Sequence, residues 1–300
     1  MRSGKPRQTT NLLTTVFLTM VLLVSCASQA KVKPGIQDAG FASLARGALV
    51  YLYVDVQGGR SILDRLTFEG SAQVAQVLDR TESAVVAFYP GGAPRRFLTV
   101  AQGRYPSSQA AWSFTLSPSW KKRRSETGAA YWHSTKGGIS VFLGPDQARV
   151  SDGDPFVLPP GVEVPEGFEE FQQGAVMAGW MEDAQELLNN IVASLGIPLQ
   201  LPATQILFSL YGSGNEYETN IRIETPSVSH ARAFMILLSQ VQRALVNGNS
   251  PEAIGDPLSL IAALLANPPV QDGPYLKLHT GSLDAKGIAL LFNRFSLYSN

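Results

Sequence analysis

GALVYLYVDV, residues 47–56, is the stretch whose reading decides the fold. It is a β-branched and aromatic run, bounded by Gly47 before it and by Gly58-Gly59 after it. A short run that is apolar at successive positions predicts a strand covered on both faces. A second run, GAVMAGWM at 174–181, answers GALVYLYV at 47–54 and sets Gly47 against Gly174. Each run is followed by a helical pattern and then by a hairpin, so the chain reads as two duplicated halves.

Working outward through the first half, Ser61 opens a short helix through Leu66. A second helix is expected over Gln73–Arg80, with Val74, Val77 and Leu78 on one face. Three β-rich runs follow: Ser83–Tyr89, Arg96–Gly103 and Ala111–Leu116. The breaks PGGAP and RYPSS between them are turn chemistry, which predicts an antiparallel meander. Ala129–Ser134 and Ile139–Leu143 then form a hairpin around Lys136-Gly137-Gly138. Residues 151–171, rich in proline, glycine and acid, connect the halves.

In the second half the strand within QQGAVMAGWM leads to a helix over Glu182–Leu195, ended by Gly196 and Pro198. Thr204–Tyr211 and Tyr217–Glu224, joined by GSGNE, are the clearest hairpin. Pro226-Ser227 caps a long helix reaching Val246, Leu276–Thr280 is a last strand, and Leu283–Tyr298 a closing helix. The expected fold is mixed α/β, of the α+β kind: a largely antiparallel sheet flanked by amphipathic helices, with halves at 47–150 and 172–300.

The N-terminus sets the address. Arg2, Lys5 and Arg7 precede the apolar run LLTTVFLTMVLLV at 12–24, and small residues follow it. That is the layout of a secretory signal, and the run is too short for a retained membrane span of about 20 residues. Leu23, Val24, Ser25 and Cys26 resemble a bacterial lipobox, which implies a signal over 1–25, acylation of Cys26 and a tether over 26–46. Ordinary cleavage after Ser28-Gln29-Ala30 is the rival. Because Cys26 is the sole cysteine, the body has neither disulfide nor thiolate site. Removing the signal takes three of 24 basic residues and no acid, leaving 21 against 24 and a net charge of −3. Overall charge therefore does not favour nucleic acid as a partner.

No catalytic pattern emerges. His133, His230 and His279 are the only histidines, and none stands in an HExxH pair or at metal spacing. The chain has no G-x-S-x-G elbow, phosphate-binding loop or complete G-x-G-x-x-G, and Asp152 with Asp154 lacks the rest of a calcium loop. No enzyme activity, cofactor or metal is expected.

The apolar helices carry more information. DPLSLIAALLANPP at 256–269 is apolar on every side, through Leu258, Leu260, Ile261, Leu264 and Leu265. At 1.5 Å per residue its roughly nine apolar residues from Leu258 to Ala266 span about 14 Å, too little to cross a bilayer. It suits a core helix or a segment that enters one leaflet. The helix at 227–247 bears a stripe of Phe234, Met235, Leu238, Val241 and Leu245, widened by Ile236, Leu237 and Ala244. The closing helix clusters Leu283, Ile288, Leu291, Phe292 and Phe295. Packing on the sheet explains such faces as readily as lipid does. Trp120-Lys121-Lys122-Arg123-Arg124 sets an aromatic beside four cations, either a solvated loop or a patch that orients the body on an anionic bilayer.

Several stretches resemble a treponemal outer-membrane lipoprotein family: ALVYLYVDV at 48–56, ILDRL at 62–66, VLDRTESAVVAF at 77–88, RRFLTVAQGRYP at 95–106 and ETGAAYWHS at 126–134. The resemblance implies a lipidated, periplasm-facing protein concealed against the inner leaflet of the outer membrane. It further implies closed and open forms, an apolar cavity in the latter, and helices that enter lipid and raise permeability. By position those helices are 227–247, 256–266 and 283–298. Membrane lipid is thus the expected partner. A carrier of an apolar ligand and a scaffold for envelope proteins are the alternatives.

Overall fold

The computed structural model describes residues 40–67, 78–91, 95–156, 161–186, 189, 201–213, 216–247 and 266–289. In the first half these form β1 (Val50–Asp55), α1 (Arg60–Thr67), β2 (Thr81–Phe88), β3 (Phe97–Gly103), α2 (Ser107–Leu116), β4 (Trp120–Arg124), β5 (Ala130–Ser134), β6 (Ser140–Leu143) and β7 (Gln147–Ser151). The second half supplies α3 (Phe168–Gln172), β8 (Met177–Glu182), β9 (Gln205–Ser213), β10 (Glu216–Glu224), α4 (Val228–Asn247), β11 (Val270–Asp272), β12 (Tyr275–His279) and β13 (Leu283–Asp284). All thirteen strands join one sheet, in the order β11-β12-β10-β9-β8-β1-β2-β3-β7-β6-β5-β4, with β13 beside β10. Each pairing is antiparallel, as in the expected α+β class.

β1 and β8, the two stretches that answer each other in sequence, are neighbours at the middle of this sheet. Their register sets Val50 opposite Met181, Leu52 opposite Gly179 and Val54 opposite Met177. The alignment that sets Gly47 against Gly174 also sets Leu52 against Gly179. Exchanging the halves therefore turns the pair Val50–Met181 into Val54–Met177 and leaves Leu52–Gly179 in place. The register is that of a pseudo-twofold axis through the Leu52–Gly179 pair. Outward from it the halves match: β1-β2-β3 then α2 on one side, β8-β9-β10 then α4 on the other.

Successive positions of β1 are buried because both faces of the sheet are covered. On one face Tyr51 and Tyr53 join Val85, Ala87, Leu98, Val100, Trp180 and Leu207. Trp180 is fully buried, stacked on Tyr51 at 4.8 Å, with a tilted Phe41 ring at 4.7 Å and Phe168 edge-on at 4.8 Å. On the other face Leu52 and Val54 pack under Ile62 and Leu63 of α1, with Leu78, Leu283 and Ile288. Apolar stretches of this kind stabilise by about 25 cal/mol per Å² removed from water.

The stretch read as tether is already packed by Phe41 and Leu44, both buried. The Tyr89 hydroxyl donates to the Ala45 carbonyl at 3.0 Å and accepts the Ala45 N–H at 3.1 Å. Tyr51 likewise donates to the Ala45 carbonyl and accepts the Ala48 N–H, both at 3.0 Å. Burial pushes the Tyr89 phenol up to about 12. Val162 of the connection donates its N–H to the Leu44 carbonyl at 3.0 Å, so the two segments hold each other on this face.

Two expectations are overturned: Leu283–Asp284 pair with β10 as β13 instead of opening the closing helix, and the meander loses its third strand. Ala111–Leu116 is not the third strand of a meander but the end of α2, and the neighbour of β3 is β7. AWSFTL fits a two-residue period, yet Ala110 and Phe114, one helical turn apart, are the pair the core takes. The cluster at 121–124 is a strand rather than a loop. The signal with Cys26, residues 73–77, 190–195, 256–265 and 290–298 lie outside the described residues.

Candidate functional site

Two helices lie on the same side of the sheet, one toward each end, and they treat their apolar residues differently. α4 starts at the predicted cap: the Ser227 hydroxyl accepts the His230 N–H at 3.3 Å, occupying one of the donors that a helix start leaves free. Its inner face sinks Ala231 and Phe234 into a cluster with Ile206, Ile223, Leu276 and Leu278. Met235, Leu237 and Leu238 pack partly against that cluster. Ile236 is 50% exposed. Of the predicted lipid-facing residues, then, Phe234 is in the core and Met235 and Leu238 are at its margin. Phe234 could meet lipid only if α4 left the sheet, whereas Met235 and Leu238 keep part of their surface outside the cluster. The side chain of Val241, together with Leu258, Leu260, Ile261, Leu264, Leu265, Phe292 and Phe295, lies outside the described residues, as does Cys26.

α2 covers the other end, packing on β4 and β6. The Phe114 ring lies 4.5 Å from Trp120 and 5.5 Å from Trp132, within a cluster that includes Phe97, Val141 and Val150. The opposite side of α2 presents Trp112 and Leu116, which are 71% and 67% exposed. The strand expected over Ala111–Leu116 hides both residues, which only the helix brings together. The signal was the one-turn spacing of Ala110 and Phe114 behind Pro106.

Among the described residues β4 is the last strand of the sheet and pairs only with β5. Lys121, Lys122, Arg123 and Arg124 are all exposed on it. Because Trp120 packs against α2, strand alternation puts Lys122 and Arg124 on the face that α2 covers, with Lys121 and Arg123 on the opposite one. Lys122 stands opposite Trp132, its Nζ 6.0 Å from the ring centre. None of the four cations pairs with a carboxylate among the described residues. Behind them His133, opposite Lys121, meets the Ser140 hydroxyl at 3.1 Å. Burial, then the Arg123 charge, lowers its pKa below the usual 6.5.

Among the described residues no three His, Cys, Asp or Glu side chains come together as metal ligands. No helix among them is long and apolar enough to cross a membrane.

No protein-family model and no curated protein matches the chain. The fold does have solved counterparts, in crystal structures of the Treponema pallidum protein TP0453. Crystal form III matches with a TM-score of 0.58 at 20% identity, over 87% of this chain and 100% of that one. Form IV gives 0.57 at 20%, over 84% and 96%, and form I gives 0.58 at 18%, over 88% and 98%. At such identity the likeness establishes a shared fold along nearly the whole of the treponemal chain.

Proposed function

We propose that this chain is a lipid-anchored envelope protein, held through Cys26 on the periplasmic side of the outer membrane, whose body engages the lipid leaflet through amphipathic helices and alters its permeability. The reading is non-enzymatic. The observation that carries it is the helix α4: its apolar surface exceeds what the sheet covers, leaving Ile236 half-exposed and Met235, Leu237 and Leu238 only partly packed. The lipobox-like residues before Cys26 and the fold shared with TP0453 support the same reading. Extended, the chain between Cys26 and Gly40 reaches at most about 50 Å, which lets the body turn α4 toward the bilayer while anchored.

Acylation holds a protein firmly once two or more chains are attached, so the helices are superfluous as anchors. Their contact with lipid has another purpose, to disturb the leaflet. The test uses the mature chain with Cys26→Ser, which removes the acyl chains, mixed with vesicles containing anionic lipid. Flotation with the vesicles and release of an entrapped dye are expected. Absence of dye release would sink the permeability claim, and absence of flotation as well would sink the whole reading.

A further inference from the structure

The first-half end of the sheet holds an arrangement that the C-terminal helices do not share. α2 has no charged residue, and its outward residues Trp112 and Leu116 lie one turn apart, so they share a face. A tryptophan and a leucine so exposed in the free protein gain free energy when an apolar environment takes them from water. Beside this helix, on the side of the sheet it covers, stand Lys122 and Arg124, with Lys121 and Arg123 behind them. The whole stretch 83–125 contains seven Lys and Arg and no Asp or Glu, whereas 151–220 contains eleven acids and no Lys or Arg. The positive charge is thus concentrated at one end, next to the exposed aromatic.

Edge strands often carry lysine to prevent pairing with other chains, and that accounts for part of the charge on β4. It does not account for Trp112 and Leu116, which belong to a helix and have no strand edge to guard. Aromatic side chains with neighbouring cations are suited to the boundary between headgroups and acyl chains, where the ring sits at headgroup depth and the cations meet anionic phosphates.

We propose that the outer face of α2 and the strand β4 form a docking surface for an anionic lipid leaflet, with Trp112 and Leu116 entering the headgroup boundary and Lys122 and Arg124 holding phosphates beside them. The surface uses none of the helices on which the permeability reading rests. It deepens the membrane reading by assigning which end of the body touches lipid first, and which lipid chemistry it selects.

The test compares the mature Cys26→Ser chain with vesicles of phosphatidylcholine alone and of phosphatidylcholine with phosphatidylglycerol. Co-flotation with the anionic vesicles, weakened by salt, is expected, together with a blue shift of tryptophan emission. Lys122→Gln with Arg124→Gln should lower partitioning roughly thirty-fold, at about 1 kcal/mol per cation. Trp112→Ser with Leu116→Ser should lower it about tenfold or more. Trp112→Phe should keep most of the binding and lose the blue shift, since the other tryptophans are already wholly or partly buried. All these residues are exposed, so the variants should keep the parent circular dichroism. If wild type binds and releases dye but the double variants do so equally well, the docking surface is overturned and the permeability reading stands. Variant-sensitive binding without dye release keeps the docking surface and removes the permeability reading. No binding to either vesicle overturns both, and self-association of the glutamine variants with unchanged flotation reduces the cations to edge protection.

Discussion

The two halves start from one plan and end as different surfaces. At the axis, Leu52 pairs with Val86 on one side, while its counterpart Gly179 pairs with Phe208 on the other. Side-chain volume has been exchanged between partners: a large residue on β1 beside a medium one, and none on β8 beside an aromatic ring. Further out, β3 leads into α2, which ends beside a basic edge strand. β10 leads into α4, twice as long, which covers its end of the sheet with one apolar face. The difference teaches that the two halves share a hydrogen-bonded frame and the face that each helix occupies. What diverges is the outer chemistry, basic and aromatic at one end, aliphatic at the other.

The largest expected effect breaks the axis itself. A Cβ at Gly179 would lie 2.4 Å from the Tyr51 carbonyl oxygen and 2.7 Å from the Phe208 ring. The carbonyl belongs to the sheet and cannot step aside, so Gly179→Ala should cost about 3 kcal/mol or more, measured by urea denaturation. Leu52→Ala, at the symmetry-related position, should cost about 3 kcal/mol for the opposite reason, a cavity. A near-neutral Gly179→Ala would mean that the strands are not in this register. The next effect compares the two helices. Phe114→Ala removes the ring that α2 sets against Trp120 and Trp132, and Phe234→Ala the one that α4 sets into its cluster. Each should cost about 3–4 kcal/mol of stability. The consequences for lipid should differ: loosening α4 should increase dye release, whereas loosening α2 should weaken flotation.

A smaller effect concerns where the chain enters the fold. Tyr89→Phe leaves the Ala45 N–H without its 3.1 Å acceptor and should cost about 1–2 kcal/mol. In wild type the folded Tyr89 holds its proton up to about 12, while the unfolded phenol loses it near 10. The group therefore stabilises the fold below pH 10 and loses that contribution as pH climbs toward 12. An alkaline titration of stability should show a shallower decline in Tyr89→Phe.

Much of this frame was legible in the sequence. Both central strands were read from continuous apolar runs, and the GSGNE hairpin from turn chemistry. Ser227 as the start of α4 followed from its place behind a proline and before an apolar stripe. What escaped was decided by tertiary packing. AWSFTL alternates well enough for a strand, and only the sheet surface, by taking Ala110 and Phe114, makes it helical. The error concealed Trp112 and Leu116, since a strand would have put the tryptophan and phenylalanine on the same face. Four adjacent cations likewise carry no period that distinguishes a solvated loop from an edge strand exposed on both faces. The small residues around Phe41 and Leu44 hide their contribution in the sequence, because it depends on the distant Trp180 whose cluster they join.

The smallest expected effect sharpens the contrast between the ends. His133 lies behind the basic strand, with its pKa lowered first by burial and then by Arg123. In the unfolded chain the imidazole takes up a proton at its ordinary value of 6.5. As pH falls through that value the unfolded state binds protons before the folded one, and stability declines. Full stability is present above pH 6.5, and the loss accumulates until the folded imidazole is protonated as well. Urea midpoints should therefore rise between about pH 5 and 7.5, and His133→Gln should flatten that part of the rise. Arg123→Gln should flatten it less, because burial is the larger cause. An unchanged slope in His133→Gln would assign the acid sensitivity to another group and detach it from the basic edge.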